Sequence, residues 1–141
     1  MRIFFLIFIF ILGIWGCKGS SNDLPDCDEN YELVNEGSGM KCLSKIQITL
    51  QWDPTIDSTG YRLYFGSSSG TYDGNCTDSN LTSPVEILVE DLENHDNPVY
   101  IVERMKNSFC YFAVTAFNES GESGYSGEII FDPSLFFLKQ E

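Results

Sequence analysis

The chain has 141 residues, with 8 basic against 21 acidic side chains and a net charge of −13. That length holds one domain with short appendages and excludes a multidomain enzyme. The acidic balance excludes the basic footprint that nucleic-acid binding needs, and 43% hydrophobic with 14% aromatic residues excludes a disordered chain. Five cysteines, an odd number, call for a separate explanation.

The N-terminus opens with one positive charge, Arg2, and an apolar run from Ile3 to Trp15. A membrane-spanning helix needs about 20 such residues. The run is shorter and fits the apolar region of a secretory signal. Ile14-Trp15-Gly16-Cys17 resembles a bacterial lipobox, in which a peptidase cuts before the cysteine and the new N-terminus is acylated. Trp15 stands where that pattern usually has a small residue, and an ordinary signal peptide cut elsewhere is the alternative. The resemblance implies a signal peptide over 1–16, a lipid on Cys17 and a polar tether over 17–26, beginning Lys18-Gly19-Ser20-Ser21-Asn22. Lys18 occupies the position where an aspartate would resemble an inner-membrane retention signal. The expected location is therefore the cell envelope, lipid-anchored, with the outer membrane favoured over the inner. Loss of Arg2 leaves 7 basic residues and a net charge of −14. An anionic membrane surface repels such a chain taken as a whole, so the lipid is expected to do the anchoring.

With Cys17 assigned to lipid, Cys27, Cys42, Cys76 and Cys110 remain. An even number in an exported chain reads as two disulfides. Of the three pairings, Cys27–Cys42 with Cys76–Cys110 is favoured. The first pair flanks the short segment Asp28 to Lys41, and the second lies within the strand-rich region. A zinc site competes for four cysteines, but no Cys-x-x-Cys spacing is present. Residues 27–43 then form a small disulfide-bonded segment, which loosely resembles half of an epidermal-growth-factor-like module.

From Lys45 onward the apolar period is two. Ile46, Ile48, Leu50 and Trp52 fall on one face of a strand that Asp53-Pro54 ends. After the turn Asp57-Ser58-Thr59-Gly60, Tyr61, Leu63 and Phe65 share a face, and Gly66-Ser67-Ser68-Ser69-Gly70 ends that run. Val85 to Val89 and Val99 to Val102 are short strand candidates. Phe109 to Phe117 is the longest, with Cys110, Phe112, Val114 and Ala116 inward, and Ile129-Ile130-Phe131 follows. No stretch past residue 17 has the period of a useful amphipathic helix. Short strands between turn signals predict an all-β sandwich.

Three stretches carry a family resemblance: Ile48 to Pro54, Gly60 to Gly66, and Tyr111 to Ser123. In that order and spacing they resemble a bacterial fibronectin type III domain over residues 44–132, an immunoglobulin-like β-sandwich, leaving 133–141 as a tail. The resemblance implies Trp52 on strand B, Tyr61 on strand C, Phe109–Asn118 on strand F and Ser126–Phe131 on strand G. Cys110 stands at the position of the family's tyrosine corner. Strand A has no clear candidate; either Tyr31 to Val34 supplies it or the domain lacks it.

Candidate chemistry is sparse. Asp26-x-Asp28-x-Asn30 begins like a calcium loop, but Tyr31 and Gly37 stand where its glycine and bidentate glutamate belong. Glu90, Asp91, Glu93 and Asp96 read as a solvated acidic loop. His95, the sole histidine, has no nucleophile elbow to serve. No cofactor, metal site or catalytic residue is expected. Tyr64, Tyr111 and Phe117 fall on outward positions and could bind a sugar or a protein, or pack across strands. The apolar tail Leu135 to Leu138 is expected to dock on the sandwich. The expected function is a non-catalytic protein- or glycan-binding or spacer module. Its expected partners are the membrane, through the lipid, and a protein or glycan ligand. The alternatives are an assembly subunit of an envelope complex and an accessory domain of a polysaccharide-degrading system.

Overall fold

The computed structural model describes Cys27 and residues 31–35, 37, 39–77, 79–103, 105–106 and 108–137. The signal, Cys17, the tether and the Asp26–Asp28–Asn30 loop lie outside these except for Cys27 itself. Nine strands run in chain order: β1 (Tyr31–Asn35), β2 (Met40–Ser44), β3 (Ile48–Gln51), β4 (Gly60–Gly66), β5 (Val85–Leu88), β6 (Val99–Val102), β7 (Cys110–Asn118), β8 (Gly121–Glu122) and β9 (Ile129–Phe131). A 3₁₀ turn over Val89–Asp91 and a single helical turn, α1 (Ser134–Phe137), complete the described elements.

The strands form two facing sheets and a separate hairpin. One sheet pairs β3 with β6; the other has the order β5-β4-β7-β8, with β9 also on β7. All the pairings are antiparallel. This is the all-β, immunoglobulin-like sandwich in its fibronectin type III-like arrangement, B and E against C′, C, F and G. The period of two puts one face of each strand into the space between the sheets. Ile48, Leu50, Trp52 and Val102 from one sheet meet Tyr61, Leu63, Phe65, Phe112, Val114 and Phe131 from the other, all buried. Trp52 meets Tyr61 edge-on, with ring centroids 5.3 Å apart.

Two expectations need correction. Of the two alternatives for strand A, the one that draws it from Tyr31 to Val34 falls: β1 pairs with β2 in a hairpin of its own. Its partner strand sits only a few residues before β3, so the hairpin closes locally before the chain reaches the sandwich edge. Strand G is not continuous over Ser126–Phe131 either. It is split into β8 and β9, and the glycines at 124 and 127 give the stretch between them little β-propensity.

Disulfides join Cys27 to Cys42 and Cys76 to Cys110, with Cα atoms 5.6 and 5.5 Å apart. The second bond is fully buried and ties the β4–β5 connection to the start of β7. The register defines two ends. At one, Ile46 accepts from the Met105 amide, Lys106 donates to Cys76, and Cys110 faces Phe131. The chain enters and leaves the sandwich there, so this is the entry end. At the far end, Thr59 donates to Phe117 and Val89 donates to Thr59, which gathers the 53–59, 89–97 and 118–121 loops.

Candidate functional site

The outward face of the five-stranded sheet carries the densest cluster of polar-tipped aromatics. On β4 and β7 the alternation that buries Leu63 and Val114 turns Arg62, Tyr64, Thr115 and Phe117 outward. Tyr64 is joined there by two residues from loops. Tyr72 comes from the turn after β4 and Tyr125 from the gap between β8 and β9. The three rings form a closed triangle, with centroids 4.9 Å (Tyr64–Tyr125), 5.2 Å (Tyr72–Tyr125) and 5.8 Å (Tyr64–Tyr72) apart. Rings this close touch one another and leave no room for a cation between them, as an ammonium cage requires. The face that the cluster leaves open is on Tyr125, which is 58% exposed.

Two carboxylates fasten the triangle. The Tyr64 hydroxyl donates to Glu122 at 2.8 Å, and Thr115 donates to the same carboxylate at 2.6 Å. Arg62 bridges Glu122 and Glu86, the latter at 3.0 Å. The Tyr72 hydroxyl donates to Glu128 at 3.1 Å, which also accepts from Ser69 and the Gly70 amide. These donors hold both carboxylates below their usual range. The Thr115 hydroxyl leads for Glu122, followed by Tyr64 and Arg62; Ser69 leads for Glu128. Burial, aided by the bond to Glu128, pushes the Tyr72 hydroxyl up to about 12, and burial with Glu122 raises Tyr64. Glu122 and Glu128 thus form an ionised frame around the neutral Tyr64 and Tyr72 hydroxyls across the neutral pH range.

Two glycines make the face possible. A Cβ on Gly60 would lie 2.6 Å from the Phe117 ring, so its absence lets that ring lie across β4. Arg62 then stacks on Phe117, with its guanidinium carbon 4.4 Å from the centroid. A Cβ on Gly66 would lie 2.0 Å from the Thr71 carbonyl. Only glycine allows the turn bearing Tyr72 to fold back over the strand end.

Of the outward aromatics singled out in the sequence, Tyr64 belongs to the triangle. Phe117 is a neighbour, committed to Arg62. Tyr111 lies farther down β7, opposite Gly66 and Ile130 and half-buried, and among the described residues no ring contact links it to the others. Tyr72 and Tyr125 were not singled out. Both sit in loops, where no period marks a face; the sequence signal was an aromatic set between glycines, in Gly70-Thr71-Tyr72-Asp73-Gly74 and in Gly124-Tyr125-Ser126-Gly127.

A concavity of about 260 Å³ lies at the far end between the 53–59 loop and the 118–123 turn. Phe117, Asn118 and Ser58 line it, and Ile56 at its rim is 88% exposed. Glu90, Asp91, Glu93, Asp96 and His95 are exposed on the neighbouring loop. Among the described residues no group of histidine, cysteine and acidic side chains is placed to hold a metal ion. At the tail, Leu135 is 64% exposed, and the other side chains of the segment expected to dock, 136–138, lie outside the described residues. Its turn is capped by Asp132, which accepts from both the amide and the hydroxyl of Ser134.

No family model matches the chain, and no curated protein matches it. Among solved structures, the third fibronectin III domain of the human KIAA0343 protein is similar at 18% identity and a TM-score of 0.44, over 85% of this chain and 92% of that one.

Proposed function

We propose that the chain is an exported, lipid-anchored, non-catalytic binding module that meets its ligand, a protein or a glycan, with the tyrosine face. The observation that carries this reading is the Tyr64–Tyr72–Tyr125 triangle, framed by Glu122 and Glu128, with one ring open to solvent. Rigid aromatics with polar tips offer large contact area at low entropic cost, and they dominate the energetics of recognition surfaces. The lipobox-like Ile14–Cys17 supports export and anchoring, and two disulfides suit an oxidising compartment.

The test is retention of the mature chain on immobilised envelope polysaccharide and on envelope proteins, with Tyr125→Ala beside the parent. Tyr125 is exposed, so its truncation leaves the core untouched. A loss of affinity of about tenfold or more is expected for a central contact residue. Equal retention of parent and variant on every ligand that binds would remove the tyrosine face from the reading.

A further inference from the structure

The arrangement of the two ends says more than the presence of a tether. The Cys27–Cys42 bond holds the start of the described chain against β2, just before the strand that enters the sandwich. The chain also leaves at this end, through β9 and α1. Ten peptide steps separate Cys17 from Cys27, a reach of at most about 35 Å. A lipid on Cys17 would keep the entry end close to the membrane, at high local concentration.

The entry end carries three exposed apolar side chains, where the far end has Ile56. Phe109 is 50% exposed, Ile130 53% and Leu135 64%. Ile130 sits opposite Tyr111 on the outer face of the sheet, and Phe109 is its diagonal neighbour by the same alternation. Leu135 follows in the turn after β9.

Charge separates the two ends. Among the described residues the lysines are Lys41, Lys45 and Lys106, all on the hairpin or the entry end, while Arg62 sits mid-sheet. Glu32, Asp73, Glu103 and Asp132 temper them there, although Asp73 and Asp132 are turned back onto Asn75 and Ser134. The far end has exposed Asp53, Asp57, Glu90, Asp91, Glu93 and Asp96, and no lysine or arginine occurs in residues 46–61 or 89–103. A net negative molecule with this polarity turns its acidic end away from an anionic headgroup layer.

We infer that the entry end of the sandwich rests on a lipid surface, with Phe109, Ile130 and Leu135 entering the interfacial layer and the far-end loops pointing outward. This rests on the lipid-anchor reading of Cys17. Three apolar side chains bind a membrane only marginally alone, but they set the orientation of a chain already tethered beside it.

The experiment uses the mature lipidated chain in vesicles of phosphatidylcholine with a minor share of phosphatidylglycerol, with and without brominated acyl chains. Trp15 departs with the signal, so buried Trp52 gives a constant background. Phe109→Trp and Leu135→Trp report the entry end, and Ile56→Trp reports the far end. Quenching of about twofold is expected at the first two positions, where side chains reach the acyl boundary, and none beyond background at the third. Vesicle-bound protein with all three positions equally unquenched would overturn the inference alone. So would a cross-linked dimer that shields both entry-end positions from the bromines, which would assign the patch to a second copy. Protein that stays off the vesicles and shows no added mass on Cys17 would overturn the anchor reading and the inference together.

Discussion

Trp52 shows what one side chain contributes to this fold. It is the last in-phase residue after Ile48 and Leu50, and the alternation drives it fully between the sheets, edge-on to Tyr61. Its truncation to alanine is expected to cost about 3–5 kcal/mol, the usual range for a buried large aromatic. Urea unfolding measures this, and a loss under about 1 kcal/mol, the scale of a surface substitution, would place Trp52 outside the core. The position was legible because a strand with one buried face repeats every second residue. What was not legible is that its indole Nε1 is buried with no hydrogen-bond partner among the described residues. That depends on what the opposite sheet presents, and no local pattern carries it. The same limit hid Tyr125, which meets Tyr64 and Tyr72 from far along the chain.

At the scale of elements, the G edge depends on two serines. Between β8 and β9 the backbone pulls away from β7, yet β7 keeps its hydrogen bonds. The Ala116 amide donates to Ser123 Oγ and the Val114 amide to Ser126 Oγ, each at 2.9 Å. In return the Ser123 and Ser126 amides donate to the Ala116 and Val114 carbonyls at 2.8 and 2.9 Å. The hydroxyls stand in for the carbonyls that a regular strand would supply, and they hold the arch that raises Tyr125 onto Tyr64. Ser126→Ala leaves the Val114 amide of a buried strand without its acceptor, at an expected cost of about 1–3 kcal/mol. Hydrogen exchange at Val114 should accelerate while that at Leu63, on the adjacent strand, tracks only the global loss. Unchanged protection at Val114 would show that the hydroxyl is dispensable. The strand pairs themselves were largely readable, since hydrophobic alternation and turn residues bracket β3, β4, β5, β6 and β7 to within a few residues. The split of strand G was not, because Gly124 and Gly127 contribute no side chain to any pattern, and a serine that caps a ladder looks like a serine in a loop.

For the molecule as a whole, the quantity that matters is how its charge is arranged. The sequence total of −13 is plain, but its division into a lysine-bearing entry end and an acidic far end appears only when antiparallel pairing folds the 53–59, 89–97 and 118–121 loops together. Two opposing effects follow. The far-end carboxylates repel one another across short distances, and the Arg62 bridges to Glu86 and Glu122 attract. The bridges lie at the surface, where an ion pair contributes about 0–1 kcal/mol. The repulsion involves many more charges and acts over a range set by the Debye length, which shrinks from about 30 Å at 0.01 M salt to about 3 Å at 1 M. Repulsion should therefore outweigh the bridges, and added sodium chloride should raise the urea midpoint rather than lower it. Asp91→Asn and Glu93→Gln, which thin the far-end cluster without touching the tyrosine face, should raise the low-salt midpoint and flatten its salt dependence. A midpoint that falls with salt would instead give the Arg62 network the larger share of the electrostatic energy.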